Sequence, residues 1–120
     1  MTPFQLRRLA LQATRRSELW PVLQDALLES PAYGRSFERA MAEAHVRCKR
    51  NLGTMDPISF VVVFDPLEEV FSHDFGLFDI YAFYSHDFDW SVPHSALREF
   101  ARSGRIPVYA AHPPGARVQR

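Results

Sequence analysis

The stretch from Leu77 to Trp90, LFDIYAFYSHDFDW, changes chemistry at nearly every step, and no other feature limits the fold as strongly. Its even positions, Phe78, Ile80, Ala82, Tyr84, His86, Phe88 and Trp90, are almost all apolar, whereas Asp79, Tyr81, Phe83, Ser85, Asp87 and Asp89 mix acids with aromatics. A period of two means a strand with one face in the core and the other turned to water or to a partner. Fully extended it would span about 46 Å, long for a small domain, so a bulge or bend is expected near Ser85.

The first 52 residues carry the helical period instead. Thr2 followed by Pro3 opens a first helix, with Phe4, Leu6, Leu9, Ala10 and Ala13 on one side and Arg7, Arg8, Arg15 and Arg16 toward the other. Ser17 and Glu18 cap a second helix, whose Leu19, Val22, Leu23, Ala26 and Leu27 recur at helical spacing; Pro21 falls in its first turn, where a missing N–H costs least. Beyond Gly34, Ser36 caps a third helix with the stripe Phe37, Met41, Ala44, Cys48, a Glu43–Arg47 surface pair, and Gly53 as its stop.

Composition then turns to strand. Pro57 to Asp65 is β-branched and aromatic on both faces, which predicts a central strand covered from both sides. Asp65-Pro66-Leu67-Glu68 has the form of a capping box, so Pro66 to Phe71 is expected as one helical turn, and Gly76 permits the turn into the alternating strand. A fourth helix is expected from Pro93 to Ser103, with Ala96, Leu97, Phe100 and Ala101 inward and Gly104 just beyond it. Ile106 to Ala111 reads as a last strand, and the segment from His112 to Arg120 as a loose basic tail. The order predicts an α+β fold in one domain, 1–120, with a helical part (1–52), a sheet-containing part (57–111) and the tail (112–120). Three N-terminal helices precede a small mixed or antiparallel sheet of about three strands, with one further helix between the last two strands.

A hydrophobic fraction of 47% and ten Phe give such a domain a core without metal or disulfide staples. The single Cys48 cannot pair within the chain, which points to a reducing compartment and hence the cytoplasm. No signal-like apolar run opens the sequence, and none later approaches the roughly 18 residues of a membrane span. The zero net charge conceals a segregation: residues 1–52 carry nine Lys or Arg against five acids, residues 53–92 carry eight acids and no Lys or Arg, and residues 93–120 carry five Arg against Glu99. That distribution predicts two opposite patches, or else segments that neutralise one another within the molecule.

Several constellations bear on chemistry. Ser-His-Asp-Phe occurs at 72–75 and again at 85–88, but an extended segment between the copies would hold them about 25 Å apart, too far for one ion. A smaller set, His86, Asp87, Asp89 and His94, supports an alternative reading as a metal-dependent hydrolase, with two carboxylates and imidazoles activating water. Cys48 lies on an apolar stripe and reads as a buried thiol, and the five glycines form no phosphate-cradling loop. Arg7, Arg8, Arg15 and Arg16 support a further alternative, nucleic-acid binding, against which the aromatics of the alternating strand stand among acids that repel phosphate. The favoured reading is a non-catalytic protein-binding protein, an adaptor, immunity factor or inhibitor. Its contact face is Asp79, Tyr81, Phe83, Asp87 and Asp89 with Glu68 and Glu69. Its partner is a protein with a basic surface, or a second copy of the chain. No cofactor and no membrane partner is implied.

Overall fold

A computed structural model of the chain describes residues 1–52, 57–66, 75–85 and 104–113. Three helices, α1 (Pro3–Ala13), α2 (Trp20–Glu29) and α3 (Gly34–Arg50), precede three strands, β1 (Ile58–Phe64), β2 (Phe78–Tyr84) and β3 (Ile106–Ala111). The fold is α+β with a small antiparallel sheet in the order β2-β1-β3. The helix expected from Pro93 to Ser103 and the turn expected from Pro66 to Phe71 lie outside the described residues, Pro66 excepted.

Local chemistry accounts for the helix ends. Thr2 and Gln5 form a reciprocal capping box: the Gln5 N–H donates to Thr2 Oγ1 at 3.1 Å and the Thr2 N–H to Gln5 Oε1 at 2.8 Å. The Ser17–Glu18 start expected for the second helix is a 3-10 turn over Ser17–Leu19, and the α-helix proper begins at Trp20 with Pro21 in its first turn. α3 starts two residues before Ser36, and no side chain caps it. Its C-terminus is closed by Asn51, whose Nδ2 donates to the Arg47 carbonyl at 2.8 Å, while Arg47, Lys49 and Arg50 in the last turn oppose the negative end of the helix dipole. Gly53, expected as the stop, lies outside the described residues.

β1 is central and buried on both faces. Directly opposed residues of an antiparallel ladder share a face. Phe64, Val62 and Phe60 therefore lie with Phe78, Ile80 and Ala82 of β2 and with Ile106, Tyr109 and Ala111 of β3. This is the face the helices cover: Tyr33 and Phe37 meet Phe78, and Cys48 reaches Ala111. Val61 and Val63 on the opposite face are equally buried. A bulge between Val62 and Val63 leaves Val108 of β3 without an opposed residue, and Gln24 Nε2 of α2 donates to its carbonyl at 2.9 Å. Pro107, which cannot donate to a ladder, is tolerated beside this bulge.

The alternating strand is shorter than its sequence period. It ends at Tyr84, and Ser85 turns out of it, at the place where a bend was expected. Gly76 has φ of +64° and makes the turn into β2, with the Asp65 N–H donating to the Leu77 carbonyl at 2.8 Å. In α1, Leu6, Ala10 and Ala13 face the core as expected, but Phe4 does not: it is 65% exposed at the first turn, outside the reach of α2 and β3. Arg7 also departs from the expected solvent face, being half-buried with its Nε enclosed and without a hydrogen-bond partner among the described residues.

α2 and α3 meet so closely at Gly34 that a β-carbon there would stand 2.3 Å from the Leu28 carbonyl oxygen. Gly34→Ala must push backbone against backbone, and its urea-denaturation midpoint is expected to fall by the equivalent of about 1–3 kcal/mol.

Candidate functional site

α3 crosses the sheet on a diagonal. Near its start Phe37 packs its ring on Phe78 at the beginning of β2, with centroids 5.2 Å apart. Two turns on, His45 hydrogen-bonds the Tyr109 hydroxyl of β3, and one turn further the Cys48 thiol donates to the Ala111 carbonyl at 3.1 Å. The helix thus passes from one sheet edge to the other and leaves the last turn of β2 uncovered. Phe78 and Ile80 are buried, whereas Ala82 and Tyr84 on the same face are exposed, Tyr84 by 51%. An open depression of about 360 Å³ lies at this corner, lined among the described residues by Ile58, Ala82, Phe83 and Tyr84.

The other face of β2 carries Asp79, Tyr81 and Phe83, all half-buried, so the expected alternation of a buried face with a more open one holds only for the first half of the strand. Asp79 Oδ1 accepts the backbone N–H of Ile80 at 2.8 Å, taking up a donor of the strand. Tyr81 carries the Arg105 guanidinium over its ring, 5.6 Å from the centroid, and Arg39 lies likewise 5.8 Å from the centre of Phe75. Cations of the two basic segments are thus drawn onto aromatics of the acidic middle segment. Asp87, Asp89, Glu68 and Glu69 lie outside the described residues.

A second polar group occupies the same end of the sheet and was not anticipated. Ser59 Oγ is hydrogen-bonded both to Ser85 Oγ and to His112 Nδ1, each at 2.7 Å. The three residues come from the start of β1, the end of β2 and the end of β3, so the cluster ties three strand ends together; the Ser85 N–H also donates to the Pro57 carbonyl at 2.8 Å. A serine hydroxyl against an imidazole is the pairing of nucleophile and base, yet Ser59 has no exposed surface, and no substrate carbonyl can approach an oxygen so enclosed. The cluster satisfies buried polar groups in the way such groups require. His112 is correspondingly half-buried and held, and Pro113 buried, where a loose tail was expected. The signal in the sequence was a lone Ser inside the apolar run of β1, a position that calls for a partner.

The alternative constellations fare differently. His86, Asp87, Asp89 and His94 lie outside the described residues, and among the described residues no group of three or more His, Cys, Asp or Glu is placed to hold a metal ion. Of the four N-terminal arginines, Arg8 and Arg15 are exposed, Arg16 pairs with Glu18 at 2.9 Å, and Arg7 is partly enclosed. The expected Glu43–Arg47 pair forms at 3.2 Å. No helix among the described residues is long and apolar enough to cross a membrane. No protein-family model, curated protein sequence or solved structure matches the chain.

Burial sets the chemistry of two groups. The Cys48 thiol is pushed up from its ordinary value by desolvation, so it is protonated and shielded. Its reaction with an aromatic disulfide reagent is expected to be limited by unfolding and to become immediate in denaturant; rapid labelling of the native protein would contradict this placement. The His112 imidazole is pushed below its ordinary value, again by desolvation. The unfolded chain then binds the proton more readily than the folded one, so the stability from neutral His112 is complete above the ordinary value near 6.5 and declines as pH falls below it. Thermal unfolding is expected to show this loss between about pH 7 and 5, and His112→Gln to flatten it.

Proposed function

We propose that the protein is a non-catalytic binding module that docks a basic-surfaced protein on the acidic, aromatic end of β2. The observation that carries this reading is the uncovered corner: Tyr84 is 51% exposed beside exposed Ala82, at an open, mainly apolar depression. Exposed aromatic area of this kind gives a contact its desolvated centre, and surrounding charge gives it steering and register. The segment of sequence that carries β2 supplies that charge in this reading, since residues 53–92 contain eight acids and no Lys or Arg. Arg105 over Tyr81 illustrates what such a surface accepts, a guanidinium laid on an aromatic ring.

The complete enclosure of Ser59 supports a binding role over a catalytic one for this end of the sheet. Adaptor, inhibitor and immunity factor share the same physical basis, a partner whose cationic surface takes carboxylates in place of other anions. A basic protein that otherwise grips nucleic acid belongs to this class.

The test is a photo-crosslinking amino acid placed at Ala82 in the host cell, with the same group at Asp25 on the outer side of α2 as control. The expected result is a distinct adduct from position 82 whose crosslinked peptide is rich in Lys or Arg, weakened when Asp79, Asp87 and Asp89 are changed to Asn. Identical adducts from both positions, or adducts indifferent to the Asn changes, would remove the proposed face.

A further inference from the structure

Among the described elements β2 is an edge strand, since the sheet runs in the order β2-β1-β3. Which of its backbone groups point outward follows from the two ends of its ladder with β1. The Asp65 N–H donates to the Leu77 carbonyl and the Ser85 N–H to the Pro57 carbonyl, each at 2.8 Å, so in this register the odd residues of β2 bond to β1. The backbone N–H and carbonyl groups of Phe78, Ile80, Ala82 and Tyr84 therefore point away from the sheet. The first part of this outer edge is closed from within the chain. The Phe78 N–H donates to the Phe75 carbonyl at 3.1 Å, and the Ile80 N–H to Asp79 Oδ1 at 2.8 Å. Ala82 differs: it is exposed, and its outward groups meet no hydrogen-bond partner among the described residues. The hollow beside it is lined by Ala82 and Tyr84 from one face of β2 and by Phe83 from the other, so it is not confined to one side of the sheet.

We infer that the partner enters as an added strand, an extended segment of the basic protein whose backbone pairs with Ala82 on the outer edge of β2. The inference rests on the proposed binding role of this corner, from which the cationic character of the segment is taken, and it supplies the mode of contact. An outward N–H and carbonyl on one residue are half of a closely spaced antiparallel pair, and a second extended backbone satisfies both at once. Side chains alternating along such a segment reach the Tyr84 side and the Phe83 side of the hollow together. A second copy of β2 is a poorer occupant. Paired antiparallel about Ala82, it would set Tyr84 of each chain opposite Ile80 of the other, and both Ile80 N–H groups are already held by Asp79. A foreign strand that begins at Ala82 and runs away from Ile80 loses no such bond.

The probe is a short peptide alternating Val and Arg, compared with the same peptide N-methylated at every amide, which keeps the charge and loses the donors. In the free protein the Ala82 amide is expected to exchange with solvent deuterium at least about tenfold faster than those of Tyr81 and Phe83, which pair with β1. The unmodified peptide is expected to slow Ala82 by about tenfold or more, and the methylated one to bind at least about tenfold more weakly. Ala82→Pro removes the outward N–H and no ladder bond, so it is expected to keep the wild-type near-ultraviolet dichroism and to lose the peptide. Equal binding of the two peptides by the wild type, or binding that leaves the Ala82 amide unprotected, would overturn the inference without recourse to the variant. Protection of Ala82 that grows with protein concentration alone would put a second copy on the edge and overturn the choice of partner. Should neither peptide bind while position 82 still crosslinks to a Lys- or Arg-rich sequence, strand addition is wrong and the binding face stands; no binding and no adduct removes both.

Discussion

Phe64 and Phe78 face one another across the β1–β2 ladder with rings stacked at 5.2 Å, and Tyr33 and Phe37 close over them from the helix layer. Most other features of the fold follow from where this cluster lies. Aromatic contacts of this kind contribute about 0.5–1.5 kcal/mol each beyond the area they bury, and here they fix the N-terminal end of α3 at one corner of the sheet. With the other end fixed by Cys48 and His45 on β3, α3 has to cross obliquely. A straight rod laid obliquely on a rectangle covers two corners and leaves others bare. Among the described elements, α2 fills the β3 side through Gln24, and the far end of β2 is left without a helix over it.

That geometry explains why strand alternation and burial part company. Ala82 and Tyr84 point to the same side of the sheet as Phe78 and Ile80, yet they are exposed because the helix has moved away by the time the strand reaches them. It also gives the segregated charges a physical meaning. Arg39 and Arg105, from the two basic segments, lie over Phe75 and Tyr81 of the acidic one, so the segments meet within the molecule through cation–aromatic contacts. The arginines of α1 belong to the opposite edge, where no fold of the described elements brings them to β2.

What could be read from the sequence was mostly local. The Thr2–Pro3 start, the Pro21 first turn, the stripe Phe37, Ala44, Cys48 and the strand Ile106–Ala111 depend on neighbours within a turn or two, and they stand where their residue types put them. β1 was legible as central because apolar residues on both faces have no other use. Phe4 was misassigned since periodicity reports a side of the helix, not how far the layer beneath it extends. The Ser59–Ser85–His112 cluster escaped notice because its members are separated by 26 and 53 residues and meet only when the strand ends are aligned. The candidate contact face was half legible: Asp79, Tyr81 and Phe83 share a face as the alternation requires, but the exposed aromatic that marks the corner, Tyr84, had been assigned to the core face.

The central claim is that the uncovered end of β2 is a contact surface for a cationic partner. The most direct measurement is paramagnetic relaxation in a nitrogen-15 chain titrated with a nitroxide-labelled, arginine-rich peptide. The account predicts line broadening confined to the amides around Ala82 to Ser85. Broadening centred elsewhere, or spread evenly over the surface, would contradict it.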